Sequence, residues 1–131
     1  MTQSLAEITV LAEKGGMTRA AFLDFLNNSV MGSVFTRYKS PAFVHLDYTP
    51  TFTPVLLRKD FELGMQAARD LDVPMPVVAA AQQAVQALIG SGYEDVDFAA
   101  LIELQARQSA LDLVSEDAPV PDGLSDPVEV V

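Results

Sequence analysis

Apolar side chains recur at spacings of three and four residues along most of this 131-residue chain. That spacing is the period of an amphipathic α-helix. No segment shows a convincing strand pattern, and the helical segments are separated by short breaks rich in glycine, asparagine or proline. The pattern therefore predicts an all-α domain of about six helices. The predicted breaks are Gly15-Gly16, Asn27-Asn28, Val73-Pro74 and Gly90-Ser91-Gly92.

Several residues mark where helices should begin. Thr18 has the side chain of a good N-cap, and Thr53-Pro54 reads as an N-cap followed by a first helical residue. Pro76 suits the first position of another helix. Asp97 is expected to cap the last helix, which we expect to run to about Val114.

The segment from Val30 to Thr51 is the least regular part of the chain. It contains Gly32, Pro41 and Pro50 among several aromatic residues. Proline would interrupt the hydrogen bonds of a sheet. We expect short helical turns here rather than strands.

One helix carries a narrow apolar seam. Gly64 and Ala68 within it would let another helix approach closely. The sequence leaves open whether this seam belongs to the core or to a dimer interface. The seam consists of Leu57, Phe61, Gly64, Ala68 and Leu71.

Composition excludes several classes of function. The net charge is −10 and the eight basic residues are scattered, which argues against nucleic-acid binding. The apolar runs are far shorter than the ~20 residues that span a membrane. No cysteine is available for a disulfide or a thiolate metal site, and Asp95 with Asp97 offers too few ligands for a hard cation. We therefore expect no bound metal. No secretory signal is visible, so we expect a cytoplasmic location.

The C-terminal residues differ from the rest of the chain. Residues 115–131 carry five acidic side chains, three prolines and no helical period. We therefore divide the chain into a helical domain, residues 1–114, and an acidic tail, residues 115–131. The tail is expected to be disordered, with wrapping around a partner subunit as the alternative.

Few residues are candidates for chemistry. His45 is the only histidine and lacks a nearby nucleophile, so a surface or packing role is favoured. Lys59 and Asp60 stand about one and a half turns into the helix that starts at Pro54. As neighbours in a helix they point about 100° apart and cannot pair with each other. Lys59 can reach Glu62, so one interpretation of Lys59 is a surface residue that forms an ion pair with Glu62 and has no role in chemistry.

The order of several short motifs resembles the C-terminal helical domain of the β-hydroxyacid dehydrogenases, the 3-hydroxyisobutyrate, tartronate-semialdehyde and glyoxylate reductase type. In that family a Phe precedes the Asp of a Lys-Asp-Leu motif by eight residues, as Phe52 precedes Asp60 here. The likeness covers about residues 4–106. The other matching motifs are Leu11–Thr18, Asn27-Asn28 with Gly32-Ser33, Val73–Pro76 and Gly92–Phe98.

The resemblance implies a fold and roles for four residues. The fold would be the helical domain typical of 6-phosphogluconate dehydrogenase-like proteins. Lys59 would contact the cofactor, NAD or NADP, and Phe52 and Asp60 would shape the same end of the cleft. Ser33 would line the substrate pocket. The family also implies a homodimer that acts on a small hydroxy acid or its semialdehyde.

Two parts of the complete family enzyme have no counterpart in this sequence. These are the Gly-x-Gly-x-x-Gly dinucleotide-binding motif and the Gly-x-Gly-x-x-x-Lys-x-x-Asn-Asn motif, whose lysine exchanges a proton with the substrate. Lys14 occupies a different motif and is no substitute. We therefore expect a fragment with no catalytic residue, inactive alone and with no cofactor stably bound. A stand-alone dimerisation or binding module with the same fold is the alternative.

Overall fold

The structure, a computed structural model, describes residues 1–125. They form six α-helices and one 3-10 turn, without a strand among these residues. The prediction of an all-α domain with about six helices is confirmed. The helices are α1 (Thr2–Lys14), α2 (Arg19–Asn27), α3 (Val34–His45), α4 (Pro54–Asp70), α5 (Pro76–Gly90) and α6 (Leu101–Gln108), and the 3-10 turn Phe98–Ala100 leads into α6.

The predicted helix starts are confirmed. The Thr18 hydroxyl accepts from the Ala21 amide at the start of α2, and the Thr53 hydroxyl accepts from the third residue after it at the start of α4. Pro54 and Pro76 occupy the first positions of α4 and α5. These residues satisfy or avoid the amide groups that a helix start leaves unpaired.

The core consists of two adjoining clusters. The first joins α1, α2, α3 and α6, and the second joins α4 and α5 to the start of α6. Tyr48, in the loop between α3 and α4, packs against both. The largest fully buried apolar side chains are Phe43, Leu23 and Ile102 in the first cluster and Leu88, Leu101 and Val85 in the second.

Along residues 1–125 every helix is too short or too polar to cross a bilayer.

The expectation of short helical turns rather than strands between Val30 and Thr51 is confirmed in the absence of strands among the described residues and wrong in the length of the helix, because α3 is continuous over 12 residues. Its start is well specified: Ser33 and Thr36 form a reciprocal capping box. Pro41 lies inside the helix, where it removes one backbone hydrogen bond. Burial of Phe43 and Val44 beyond it keeps the helix intact.

Two helices end earlier than predicted. α4 ends at Asp70, because Asp72 adopts a left-handed conformation (φ 55°) and the Val73 amide turns back to the Ala68 carbonyl at 2.8 Å. α6 ends at Gln108 rather than near Val114. These reversals are not signalled by glycine, which usually occupies such positions.

Buried Arg19 ties the ends of three helices to the segment that follows α6. Its guanidinium contacts both Glu13 oxygens at 2.7 and 2.8 Å and donates to the carbonyls of Phe43, Val44 and Val114. The Glu116 carboxylate accepts from the amides of Arg19 and Ala20 at 2.7 and 2.9 Å. This cluster joins α1, α2 and α3 to residues 114–116, and we call it the Arg19 clasp.

The described part of the predicted tail lies against the helices. The Glu116 amide donates to the Val44 carbonyl, and Ala118 and Val120 pack on the first core cluster. Residues 126–131 lie outside the described residues, so disorder at the C-terminus stays a prediction.

Replacing Arg19 with Met should lower the free energy of unfolding by about 3–5 kcal/mol, the usual effect of removing one member of a buried ion pair. Glu13 would lose its partner, and the buried carbonyls of Phe43 and Val44 and the carbonyl of Val114 would lose a donor. Arg69→Met is the matched control, because Arg69 is exposed near the end of α4. Urea unfolding of both variants measures the difference, and an Arg19→Met loss as small as that of the control would contradict the assignment.

Candidate functional site

Lys59 and Asp60 both lie on the exposed side of α4. Within residues 1–125 the ion pairs are Arg19 with Glu13 and Glu116, and Lys39 with Asp97, so Lys59 does not form the alternative pair with Glu62. Neither Lys59 nor Asp60 has a side-chain hydrogen bond to another described residue. Both charged groups are therefore accessible to a ligand or to another chain segment.

Apolar side chains surround these two charges. Leu56 and Leu63, one turn before and one turn after Asp60, are 45% and 64% exposed. Gly64 also faces open space, since a Cβ built there would have no neighbour within 4 Å. Of the predicted seam, Leu57 and Phe61 pack on the second core cluster and Ala68 is buried. The seam is thus partly core and partly open surface.

Ser33 has a structural task at the start of α3. Its hydroxyl accepts from the Thr36 amide at 3.1 Å, and its own amide donates to the Thr36 hydroxyl at 2.8 Å. The side chain is half-buried. Its role in lining a substrate pocket stays a prediction.

Phe52 is fixed by the two residues Asp97 and Phe98. Its amide donates to Asp97 Oδ2 at 3.2 Å, and its carbonyl accepts from the Phe98 amide at 3.1 Å. The two phenyl rings meet edge to face, with centroids 6.2 Å apart and an interplanar angle of 89°. Backbone and ring of Phe52 are therefore both held, directly before α4 begins.

Asp97 belongs to a buried ion pair with Lys39. Lys39 Nζ lies 2.7 Å from Asp97 Oδ1, and both side chains are only 3% exposed. The Lys39 ammonium also sits over the Phe98 ring, 4.3 Å from its centroid. The predicted capping role of Asp97 is confirmed, because Oδ1 accepts from the Ala99 amide in the 3-10 turn that leads into α6.

The surroundings of Asp97 favour its ionised form. Burial by itself would raise the pKa of this carboxyl, but hydrogen bonds from Lys39, Thr51 and Ala99 outweigh it and hold the pKa below its usual value. In the loop between α3 and α4, burial and a 2.8 Å hydrogen bond to Glu103 raise the pKa of the Tyr48 hydroxyl.

An apolar groove of about 230 Å³ lies beside this arrangement. Phe98 lines it together with the start of α1 and side chains of α3, α4 and α5. Phe35 stacks on Phe98 there, with centroids 6.5 Å apart. The aromatic chain from Phe35 through Phe98 to Phe52 thus connects the groove with the turn that precedes α4.

The other candidates of the sequence have structural contacts. Lys14 donates to the Ser109 carbonyl at 2.7 Å. His45 is exposed at the end of α3, with Nδ1 3.1 Å from the Glu116 carbonyl. Sequence reasoning found Asp97 but missed Lys39, which lies 58 residues away, and no local pattern around Lys39 marks it.

Comparisons with known proteins support the resemblance. Residues 1–105 match a family model described as NAD-binding of NADP-dependent 3-hydroxyisobutyrate dehydrogenase. Glyoxylate/succinic semialdehyde reductase 1 of Arabidopsis thaliana is 33% identical over 103 residues, which are 79% of this chain and 36% of that protein. Cytokine-like nuclear factor N-PAC of Homo sapiens is 26% identical over 98 residues, 75% of this chain and 18% of that protein.

A solved structure shares the fold. The 3-hydroxyisobutyrate dehydrogenase of Salmonella typhimurium superposes with a TM-score of 0.74 and 24% identity, covering 79% of this chain and 36% of that one. The all-α domain is therefore the helical domain of that fold, as expected. This chain spans about a third of the length of the reductase and dehydrogenase that it matches. By the match of residues 1–105, the chain belongs to the 3-hydroxyisobutyrate dehydrogenase family of β-hydroxyacid dehydrogenases.

Proposed function

We propose that this chain supplies the nicotinamide-facing helical domain of an NAD(P)-dependent β-hydroxyacid dehydrogenase. The complete enzyme would transfer hydride between the nicotinamide and a small 2- or 3-hydroxy acid or its semialdehyde. The observation that carries the proposal is the exposed Lys59-Asp60 pair on α4, a helix that begins two residues after the firmly held Phe52. Lys59 would contact the cofactor, while Phe52 and Asp60 would shape the same end of the cleft.

The lysines of the chain support this assignment. Lys14 donates to a carbonyl and Lys39 is buried against Asp97. Of the three lysines in the sequence, this leaves the Lys59 ammonium to meet a ligand. A lysine offers three donors on a flexible stem, which suits ribose hydroxyl and amide oxygens.

The residues fit only one end of the cofactor. Lys59 and Phe52 can hold the nicotinamide end, but the sequence contains no glycine-rich loop for the pyrophosphate. NAD(P)H supplies the hydride when it is bound. The family's Gly-x-Gly-x-x-x-Lys-x-x-Asn-Asn motif, whose lysine exchanges a proton with the substrate, also has no counterpart in the sequence. We therefore propose that the chain alone is inactive and that another polypeptide segment completes the site.

A domain exchange tests the role of Lys59. In a chimera, residues 1–105 of this chain replace the matching region of the Arabidopsis reductase, and oxidation of NADPH and NADH is followed with glyoxylate and succinic semialdehyde. Lys59→Ala should lower kcat/KM for the cofactor by roughly tenfold to a hundredfold, the effect of losing one charge-assisted hydrogen bond.

Arg69→Ala, another exposed cation of α4, is the control and should leave kcat/KM within about twofold, since exposed charges far from a ligand contribute little. Circular dichroism verifies that each chimera is folded. A folded chimera without turnover, or a Lys59→Ala chimera as active as its parent, would contradict the proposal.

A second role, homodimerisation, is favoured by the open part of the α4 surface. Leu56 and Leu63 are exposed there, and Gly64 leaves room for a partner helix. The N-PAC relatives are named as nuclear factors and not as dehydrogenases, so a binding module with this fold is the alternative to an enzyme domain.

For the dehydrogenase domain we propose a cytoplasmic location.

Gly64→Lys should raise the dimer dissociation constant at least tenfold, because an unpaired charge would be desolvated at the interface. Gly90→Lys is the control, since a side chain at the end of α5 also meets open space. Sedimentation equilibrium of the full chain measures both. A wild-type chain that stays monomeric at high concentration, or equal dissociation constants for both variants, would rule out this interface.

A further inference from the structure

We propose that Lys39 and Asp97 are positioning residues for Phe52, acting through Thr51. The inference rests on the proposed role of Phe52 in the nicotinamide site, and it adds residues that were not expected to take part. Phe52 precedes the N-cap of α4, so whatever fixes Phe52 also fixes the start of the helix that presents Lys59 and Asp60.

The Asp97 carboxylate is the centre of this arrangement. Oδ1 accepts from Lys39 Nζ at 2.7 Å and from the Ala99 amide at 2.9 Å. Oδ2 accepts from the Thr51 hydroxyl at 2.6 Å, from the Thr51 amide at 3.0 Å and from the Phe52 amide at 3.2 Å. One carboxylate thus holds two consecutive amides of the turn. Only an ionised carboxylate can accept from five donors, because a protonated one must donate at one oxygen.

The positive charge of Lys39 stabilises the ionised form of the buried Asp97 carboxylate. A buried carboxylate without a countercharge would become protonated. The Lys39 ammonium also contacts the Thr51 hydroxyl at 3.2 Å and the face of the Phe98 ring. It therefore reaches the Phe52 turn by two routes, one through Thr51 and one through the ring that packs on Phe52.

Such an arrangement is more than the capping of α6 requires. A single hydrogen bond from the Ala99 amide caps the 3-10 turn. The remaining hydrogen bonds of the Asp97 carboxylate all come from Lys39, Thr51 and Phe52. Phe98 adds a backbone hydrogen bond and a ring contact to Phe52. Rigid support around a binding side chain is what precise ligand positioning needs.

Thr51 allows a test that spares the fold, because it is exposed while Asp97 and Lys39 are buried. In the full chain, Thr51→Val removes the hydroxyl and Thr51→Ser keeps it. Amide hydrogen exchange by NMR should become about tenfold faster at Thr51 and Phe52 in Thr51→Val, the size expected for one hydrogen bond. Thr51→Ser should restore the slow exchange. Thr49→Val, which loses a contact to Asp47 alone, should leave Phe52 unchanged.

The amides of Leu23 and Leu88 report on the two core clusters and should keep their exchange rates in every Thr51 variant. Unchanged exchange at Phe52 in Thr51→Val would overturn the inference. An equal acceleration at Phe52, Leu23 and Leu88 would also overturn it, since the contact would then support the fold in general. Asp97→Asn should accelerate exchange at Phe52 more than Thr51→Val does.

A titration with millimolar nicotinamide mononucleotide separates this inference from the proposed function. Chemical-shift changes near Phe52 should be lost in Lys59→Ala and reduced in Thr51→Val, with recovery in Thr51→Ser. If Lys59→Ala leaves them unchanged, or if wild type shows none, the proposed function fails and the exchange data alone decide on positioning. If they need Lys59 but are the same in Thr51→Val, the positioning inference fails and the proposed function stands.

Discussion

The buried Lys39–Asp97 ion pair links helices and turns of this domain that lie far apart in the sequence. Lys39 comes from α3, Asp97 precedes α6, and the carboxylate between them holds the turn that starts α4. Burying two charges carries a large desolvation cost. The cost is offset here because the carboxylate has five donors and the ammonium also contacts a hydroxyl and an aromatic face. The α4 start, and with it the candidate site, depends on this pair.

The Arg19 clasp is a second buried charged cluster that links segments far apart in the sequence. It joins the end of α1, the start of α2 and the end of α3 to residues 114–116. Those last residues lie beyond the region that matches the family model, which ends at residue 105. The clasp therefore holds residues beyond the matched region against helices that lie within it.

Much of the fold was predictable, because helix starts and most helix ends are determined by residues that lie close to them in the sequence. Thr18, Thr53 and Pro54 mark starts through groups that sit within three residues of the amides concerned. α3 was missed because Pro41 argues locally against a helix, whereas the burial of Phe43 and Val44 that overrides it is a tertiary effect. After the early ends of α4 and α6, Asp72 and Ala110 adopt left-handed conformations. The sequence does not indicate these positions, because neither residue is a glycine.

The candidate site was predictable only in part. Lys59, Asp60 and Phe52 came from a resemblance in motif order, and their roles stay predictions. Lys39 could not have been found, since a lone lysine has no local signature and its partner lies 58 residues away. Arg19 is similar: its partners Glu13 and Glu116 are brought together only when α1, α2 and the following segment pack.

The most direct test of the central claim, that this chain carries one wall of a nicotinamide site, is NADPH oxidation by the purified 131-residue chain in the presence of glyoxylate or succinic semialdehyde. We expect no oxidation above the blank by the chain alone. We expect oxidation to appear when the part of the Arabidopsis reductase outside its matching region is added as a separate fragment. Turnover by the chain alone, or none by the folded mixture, would contradict the claim.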